Sequence, residues 1–228
     1  MRQHKNFGLL IVLVTVVTAT NLLAQQPGTR LWEFETPSTL DGCVAIAPHG
    51  TIFLGTGMPN AMFGEGGEFL SYNNLLYALN PDGSKQWEVR AATPLGSSPA
   101  IGPDGTIYIA GHKLFAFAPD GSAKWEFPIE GRVTATPAFG PDGTIYFGAW
   151  DKKFHAVNPD GTAKWVFDGV VQDIPPIYIT EIRYPAAVAR DGTIYFSATD
   201  AMFPVSRFYA LNPDGTKKWD LATNRGPS

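Results

Sequence analysis

The sequence predicts an all-β fold, a β-propeller of four-stranded antiparallel blades, and three observations carry that prediction. Two turn-forming strings recur along the chain, the strands between them are apolar on both faces, and each repeat closes on a Trp. Gly-Thr-Ile stands at 50–52, 105–107, 143–145 and 192–194, preceded by His49 in the first copy and by Asp104, Asp142 and Asp191 in the others. Downstream of each comes Pro-Asp-Gly, at 81–83, 119–121, 159–161 and 213–215, followed by a Lys and then by Trp87, Trp125, Trp165 or Trp219. Self-similarity of this kind marks a repeat architecture, in which each unit buries its apolar face only against its neighbours.

One unit reads as four strands. In the second copy these are 98–101, 106–110, 113–117 and 123–127. Pro sets φ at the first corner of each turn, Asp accepts a backbone hydrogen bond, and Gly takes the left-handed position. A calcium-loop reading of Asn-x-Asp-Gly lacks the further ligands that such a loop supplies. The second strands, Thr-Ile-Tyr-Ile-Ala at 106–110 and Thr-Ile-Tyr-Phe-Gly at 144–148, do not alternate apolar with polar. A sheet wet on one side alternates, so these strands are covered on both sides, as when small sheets stack face to face about an axis. The repeated Trp is then a packing residue, buried on the outermost strand against the next blade.

The blades fall at approximately 40–89, 95–127, 133–167 and 184–221. Ahead of them Leu31-Trp32-Glu33-Phe34 matches a fourth strand, giving four blades plus one N-terminal strand. The last blade already owns a fourth strand at 217–221, so the expectation is an open or partial ring, completed by a longer parent chain or by a second copy. Uncovered blade faces and strand edges invite association.

The first 24 residues read as an export signal. Arg2, His4 and Lys5 precede an apolar run from Phe7 to Leu23, and Ala24 is a small residue suited to cleavage before Gln25. Thr15, Thr18, Thr20 and Asn21 dilute the run below a roughly 20-residue membrane span, the competing reading. Residues 25–228 are then a periplasmic or extracellular repeat domain with no membrane span. Loss of Arg2 and Lys5 takes the net charge from −4 to −6, and no basic run points to nucleic acid. Cys43, the only cysteine, excludes an internal disulfide and reads as a buried, inert thiol in the apolar run 43–47.

The run Leu76-Tyr77-Ala78-Leu79-Asn80-Pro81-Asp82-Gly83-Ser84-Lys85-Gln86-Trp87, with Ser97-Ser98-Pro99-Ala100 and Asp104-Gly105-Thr106-Ile107-Tyr108, resembles the repeat of pyrroloquinoline-quinone-type, or quinoprotein-like, β-propellers. The resemblance covers essentially the whole chain after residue 24 and implies the propeller fold. That family includes quinoprotein dehydrogenases, an outer-membrane assembly component that binds proteins, and exported repeat proteins. Its dehydrogenase branch implies eight blades, an adjacent Cys-Cys pair over the cofactor, Glu, Asn and Asp calcium ligands, and a catalytic Asp. Cys43 alone cannot form the pair, and no position matches the ligands. The resemblance therefore points to the non-dehydrogenase branch. Neither a quinone nor calcium is assigned, and no catalytic, cofactor-binding or metal residue.

Candidate site residues come from the loops. The links between first and second strands, and between third and fourth, lie on one face and are nearly all Pro-Asp-Gly turns. The other links lie on the opposite face and hold the length variation: Gly-Thr-Ile copies are 55, 38 and 49 residues apart. The extra residues fall at 56–74, which includes Phe63 and Tyr72, at 168–184, which includes Tyr178 and Arg183, and at 199–207, which includes Phe203. Shorter loops on that face add His112 and Trp150-Asp151-Lys152. Trp150 is off the repeat position, so periodic packing does not explain it; it either plugs its loop or stacks on a ligand. Long loops gathered on one face of a repeat protein commonly make its binding surface. The leading function is an exported binding or scaffold module for a protein or glycan partner. The alternatives are a fragment of a quinone-dependent oxidoreductase and a purely structural repeat segment.

Overall fold

In the computed structural model the residues described are 30–37, 40, 42–57, 74–168, 179–200 and 205–224. They form four antiparallel sheets. The first holds β1 (Ala45–Ile46), β2 (Ile52–Gly55), β3 (Leu75–Leu79) and β4 (Lys85–Arg90). The second holds β5 (Ala100–Ile101), β6 (Ile107–Ala110), β7 (Lys113–Phe117) and β8 (Ala123–Pro128), and the third β9 (Ala138–Phe139), β10 (Ile145–Gly148), β11 (Phe154–Val157) and β12 (Ala163–Phe167). The fourth holds β13 (Ile179–Glu181), β14 (Ala187–Val188), β15 (Ile194–Asp200), β16 (Val205–Leu211) and β17 (Lys217–Asn224). The first three sheets pair their strands in chain order, the meander expected of a propeller blade, as do β14 to β17 of the fourth, in which β13 also pairs β15.

Two of the departures from the sequence expectation concern the fourth sheet. An additional strand, β13, pairs with the far end of β15, Ile179 opposite Asp200, inside what reads as a plain loop. The extra residues at 199–207 lengthen a hairpin: β15 and β16 stay in register from Ile194↔Leu211 to Thr199↔Ser206. Extended pairing satisfies the backbone groups that a free loop would leave to water.

The doubly apolar second strands are buried along their lengths, β6 and β10 throughout. Three clusters form the layers between sheets. Phe53 and Leu76 meet Ile107, Ile109 and Phe115; Tyr108 and Leu114 meet Ile145 and Phe147; Tyr146 and Phe154 meet Phe196 and Tyr209. A fourth cluster covers the outer face of the first sheet with Trp32, Phe34, Leu40 and Val44. Segment 31–34 pairs with no strand, so it is a cover and not the strand that its sequence suggests.

At one end every sheet carries the same two turns, and their glycines, from Gly50 to Gly215, all have φ between +80° and +96°. In the second of them the Asp carboxylate accepts from the Ser or Thr two residues on, as when Asp82 accepts from Ser84 N and Oγ at 2.9 and 2.6 Å. The two turns are cross-linked. Lys124 Nζ donates to Thr106 Oγ1 at 2.7 Å and lies 3.3 Å from Asp104, and Lys164 does the same to Thr144 and Asp142. In the first sheet His49 stands where the others have Asp, and Gln86 replaces the Lys, donating to Thr51 Oγ1 at 3.1 Å. The cation and its carboxylate are lost together there.

The repeated Trp is half-buried, not fully buried. It lies on the outermost strand, where one flank of the ring stays wet. Its other flank lies on the next sheet. A Cβ on Gly121 would lie 2.9 Å from Trp87, one on Gly161 2.7 Å from Trp125, and one on Gly215 2.6 Å from Trp165. Each indole N–H donates to the carbonyl of the Pro in that same turn, at 3.0 Å. Trp32 makes the same contact with Pro81 and Gly83 at 2.9 Å. Cys43 also departs from expectation. Its thiol is free and exposed, because β1 begins only at Ala45 and Cys43 lies on the segment leading in, its N–H bonded to Ser98 Oγ.

Candidate functional site

At the opposite end of the sheets, linkers and hairpins interlock through backbone groups. Val133 N–H donates to the Gly111 carbonyl, and Trp150 N–H to the Arg132 carbonyl, at 2.8 and 2.9 Å. Glycines allow the crossings: a Cβ on Gly111 would collide with the Pro94 carbonyl, one on Gly131 with Asp151 N, and one on Gly148 with Ile182. Each linker is thereby held against a hairpin, which brings 94–95, 111–113, 131–133, 149–153 and 182–183 to one face. His112 and Trp150 both sit on it. His112 is exposed at the tip of its hairpin.

Trp150 is the centre of a cluster. It is 38% exposed, and the guanidinium carbons of Arg132 and Arg183 lie 5.6 and 5.4 Å from its ring centroid. Arg132 comes from the linker between the second and third sheets, Arg183 from the link between β13 and β14 of the fourth. An indole ring attracts cations through its quadrupole, so the three hold one another in place. Lys152, the next tip residue but one, takes φ +69°, a left-handed conformation uncommon outside Gly, Asn and Asp.

Asp151 does not face a ligand alongside Trp150. Its side chain is turned inward onto His155, with Oδ2 2.8 Å from Nε2, and Oδ1 accepts from Lys153 N–H at 3.0 Å. Burial works to raise the Asp151 carboxyl, and the His155 hydrogen bond and charge, with the Lys153 N–H, outweigh it and hold the pKa below the ordinary carboxylate value. The His155 ring stacks on Phe147 at 5.1 Å and 9°, and its Nδ1 is buried without a partner among the described residues. The pair borders an open cleft of about 340 Å³ whose other walls include Phe127, Ile129, Lys153 and Val166.

His155 was not a sequence candidate, and a signal for it existed. Third-strand positions Tyr77, Phe115, His155 and Tyr209 share one register, so His155 stands in an aromatic column. Tyr209 in that column is pushed up to about 12, by burial first, then by the Asp220 charge, against the lowering effect of Arg207. Phe63, Tyr72, Tyr178 and Phe203 lie outside the described residues. Among the described residues, no three His, Cys, Asp or Glu side chains gather as a metal site, and no helix is long and apolar enough to cross a membrane.

Small antiparallel sheets latched by indole-on-turn contacts, with irregular links gathered at one end, define a β-propeller repeat protein. Residues 72–228 match the family model described as outer membrane protein assembly factor BamB, and the chain belongs to that family of quinoprotein-like repeats. The structure is similar to the crystal structure of BamB from Moraxella catarrhalis, with a TM-score of 0.57 and 17% identity over 83% of this chain and 66% of that one. It is also similar to a protein of unknown function from Bacteroides caccae, with a TM-score of 0.54 and 13% identity over 86% of this chain and 72% of that one. The chain thus spans just under two-thirds of the Moraxella protein. No curated protein matches in sequence. Identities this low carry the fold, and a fold shared by 369 solved chains selects no activity by itself.

Proposed function

We propose that this chain is an exported binding scaffold that engages a protein partner through its loop face, with Trp150 as the anchor. The observation that carries the proposal is the Arg132–Trp150–Arg183 cluster. It sets a large, partly exposed aromatic between two guanidiniums, on rigid backbone crossings, at a position that the repeat does not explain. Trp and Arg are enriched at the hot spots of protein interfaces, because Trp buries much area on two rotatable bonds and Arg adds a rigid fork of directional donors. The family name supports a protein partner, since it describes an assembly factor of outer membrane proteins. The leader-like segment 1–24 supports export. The reading requires no quinone and no calcium.

The test is a binding titration against cell-envelope proteins captured on the immobilised chain. Trp150→Ala weakens the captured complex by roughly thirtyfold, the loss of about 2 kcal/mol expected at a hot spot. Its own unfolding midpoint moves little, because the ring is partly exposed. A partner that binds Trp150→Ala as tightly as wild type, and Arg132→Ala likewise, would overturn the assignment of the face.

A further inference from the structure

The third sheet breaks a pattern that the other sheets keep between their third and fourth strands. Each residue of the aromatic column lies opposite one fourth-strand residue: Tyr77 opposite Glu88, Phe115 opposite Glu126, His155 opposite Val166 and Tyr209 opposite Asp220. Outside the third sheet that residue is an acid, and the acid is paired. Glu88 accepts from Lys85 on its own strand at 2.8 Å. Glu126 accepts from Lys113 at 2.6 Å, and Asp220 from Arg207, each cation standing two residues before the column. Lys153 is the equivalent cation of the third sheet, two residues before His155. Where its acid belongs stands Val166, 47% exposed.

Among the described residues no other acid fills that place. Glu130 lies 3.7 Å from Lys153, beyond hydrogen-bond reach, on a side chain that is 86% exposed, so water screens the pair and little holds it. Asp151 feels the Lys153 charge, but both of its oxygens are engaged, by His155 and by the Lys153 N–H. Lys153, His155 and Val166 all line the cleft of about 340 Å³ between the second and third sheets, and Phe127 and Ile129 extend its apolar wall. That volume falls at the small end of the range for small-molecule sites, which pair mostly apolar walls with a few polar groups.

We propose that this cleft binds a small carboxylic acid with an apolar body, its carboxylate taking the place at Lys153 that Glu126 takes at Lys113 and Asp220 at Arg207. The chain itself displays the missing group, since two of its own sheets show what this cation position holds. The apolar body lies on Val166, Phe127 and Ile129, which gives an organic acid an advantage over an inorganic anion. An ammonium is a compact point charge, so Lys153 fixes the acid end and leaves the walls to select the body. Glu130 and Asp168 oppose an anion from the rim, and both are exposed, which screens that opposition. The inference does not rest on the loop-face reading, because Trp150, Arg132 and Arg183 are not among the cleft's walls.

Phenylbutyrate is the probe, titrated into the methyl-labelled full chain while the Val166 methyl signals are followed by NMR. The expected result is a saturable shift with a midpoint between roughly 0.1 and 10 mM, the affinity that so small a ligand reaches. Phenylbutylamine, with the same body and the opposite charge, should bind at least tenfold more weakly. Lys153→Met keeps the aliphatic stem, removes the charge and weakens the acid by roughly tenfold, the loss of one charge-assisted hydrogen bond. Val166→Glu restores the acid that the repeat has at this position, and it should abolish binding, read by saturation transfer to the probe's ring protons. Glu occupies that position in the first and second sheets, so the variant keeps its fold, which circular dichroism verifies. Val166 methyls unmoved by the acid, binding that persists in Val166→Glu or is unchanged in Lys153→Met, or an amine that binds as tightly as the acid overturns the proposal.

Discussion

Each sheet presents the same two turns at one end and a different connection at the other, and the two ends are held by different chemistry. At the turn end the side chains are specified: a Gly that must accept φ near +85°, an Asp that bonds the Ser or Thr two residues on, a Trp whose indole latches onto the next sheet. At the loop end the contacts between linkers and hairpins are backbone to backbone, Val133 to Gly111 and Trp150 to Arg132. Backbone pairing constrains side chains little away from the crossing glycines. The loop end is therefore free to vary in length and chemistry while the sheets stay latched at the other. Stability is concentrated at the turn end, and capacity for recognition at the loop end.

The largest effect that tests this division is at Gly161. It has φ +88°, and a Cβ there would sit 2.7 Å from Trp125 Cδ2. Gly161→Ala should cost about 2–4 kcal/mol, combining left-handed strain with overpacking against an indole that cannot retreat. A fall in urea midpoint at unchanged m reads it directly. Next in size is a paired comparison. Trp125→Ala loses a latched ring and its hydrogen bond, about 2–3 kcal/mol, whereas Trp219→Ala, whose ring is exposed and unlatched among the described residues, should cost under about 1 kcal/mol. Equal losses would show that the latch contributes nothing and that the two ends do not differ in this way.

The same division explains what the sequence made legible. In the second copy the second and third strands could be placed within a residue, because Gly-Thr-Ile and Pro-Asp-Gly fix turn geometry locally and the doubly apolar runs at 107–110 and 145–148 require cover on both sides. Trp150 was visible as the indole off the repeat. Its partners were not, since Arg132 and Arg183 reach it from two linkers whose crossings depend on tertiary backbone contacts. Asp151 looked like a ligand-facing tip residue. Its inward turn is set by His155, four residues on, and only alignment of the third strands reveals a His in an aromatic column. The exposure of Cys43 and the strand β13 were illegible for a similar reason: an apolar pentapeptide and an irregular loop carry no period to read.

The Asp151–His155 pair is where the loop end borrows the specificity of a core, and it gives the next smaller effect. Both side chains are less than a tenth exposed. Removing His155 leaves a buried carboxylate with Lys153 N–H as its remaining partner, so His155→Phe should cost about 1–3 kcal/mol even though it restores the aromatic column. Asp151→Ala combined with His155→Phe should recover most of that loss. A coupling energy near zero in the double-mutant cycle would mean that the two residues are stabilised independently, and the loop end would then be uniform in its reliance on backbone contacts.

The smallest effects come from the turn carboxylates one at a time. Asp82, Asp120, Asp160 and Asp214 are each held below the usual carboxylate value by the hydroxyl of the Ser or Thr two residues on, then by its N–H. Asp142 is lowered to about 2, first by the Lys164 hydrogen bond. A carboxylate whose pKa is depressed by folding stabilises the native state above its unfolded value near 4, and that contribution is lost as pH falls through the folded value. The urea midpoint should therefore be level from pH 7 to about 5 and decline from about pH 4 toward 2. Replacing any one turn Asp by Asn should lower the midpoint slightly at pH 7 and flatten the acid decline by a fraction. Asp142→Asn should flatten it most, because its Lys164 partner adds to the turn's own hydrogen bonds. Its exposure keeps even that effect small, since water screens the pair. A decline equally steep in Asp142→Asn would locate the acid sensitivity at the loop end, in Asp151, and reverse the assignment of the charged contacts to the turns.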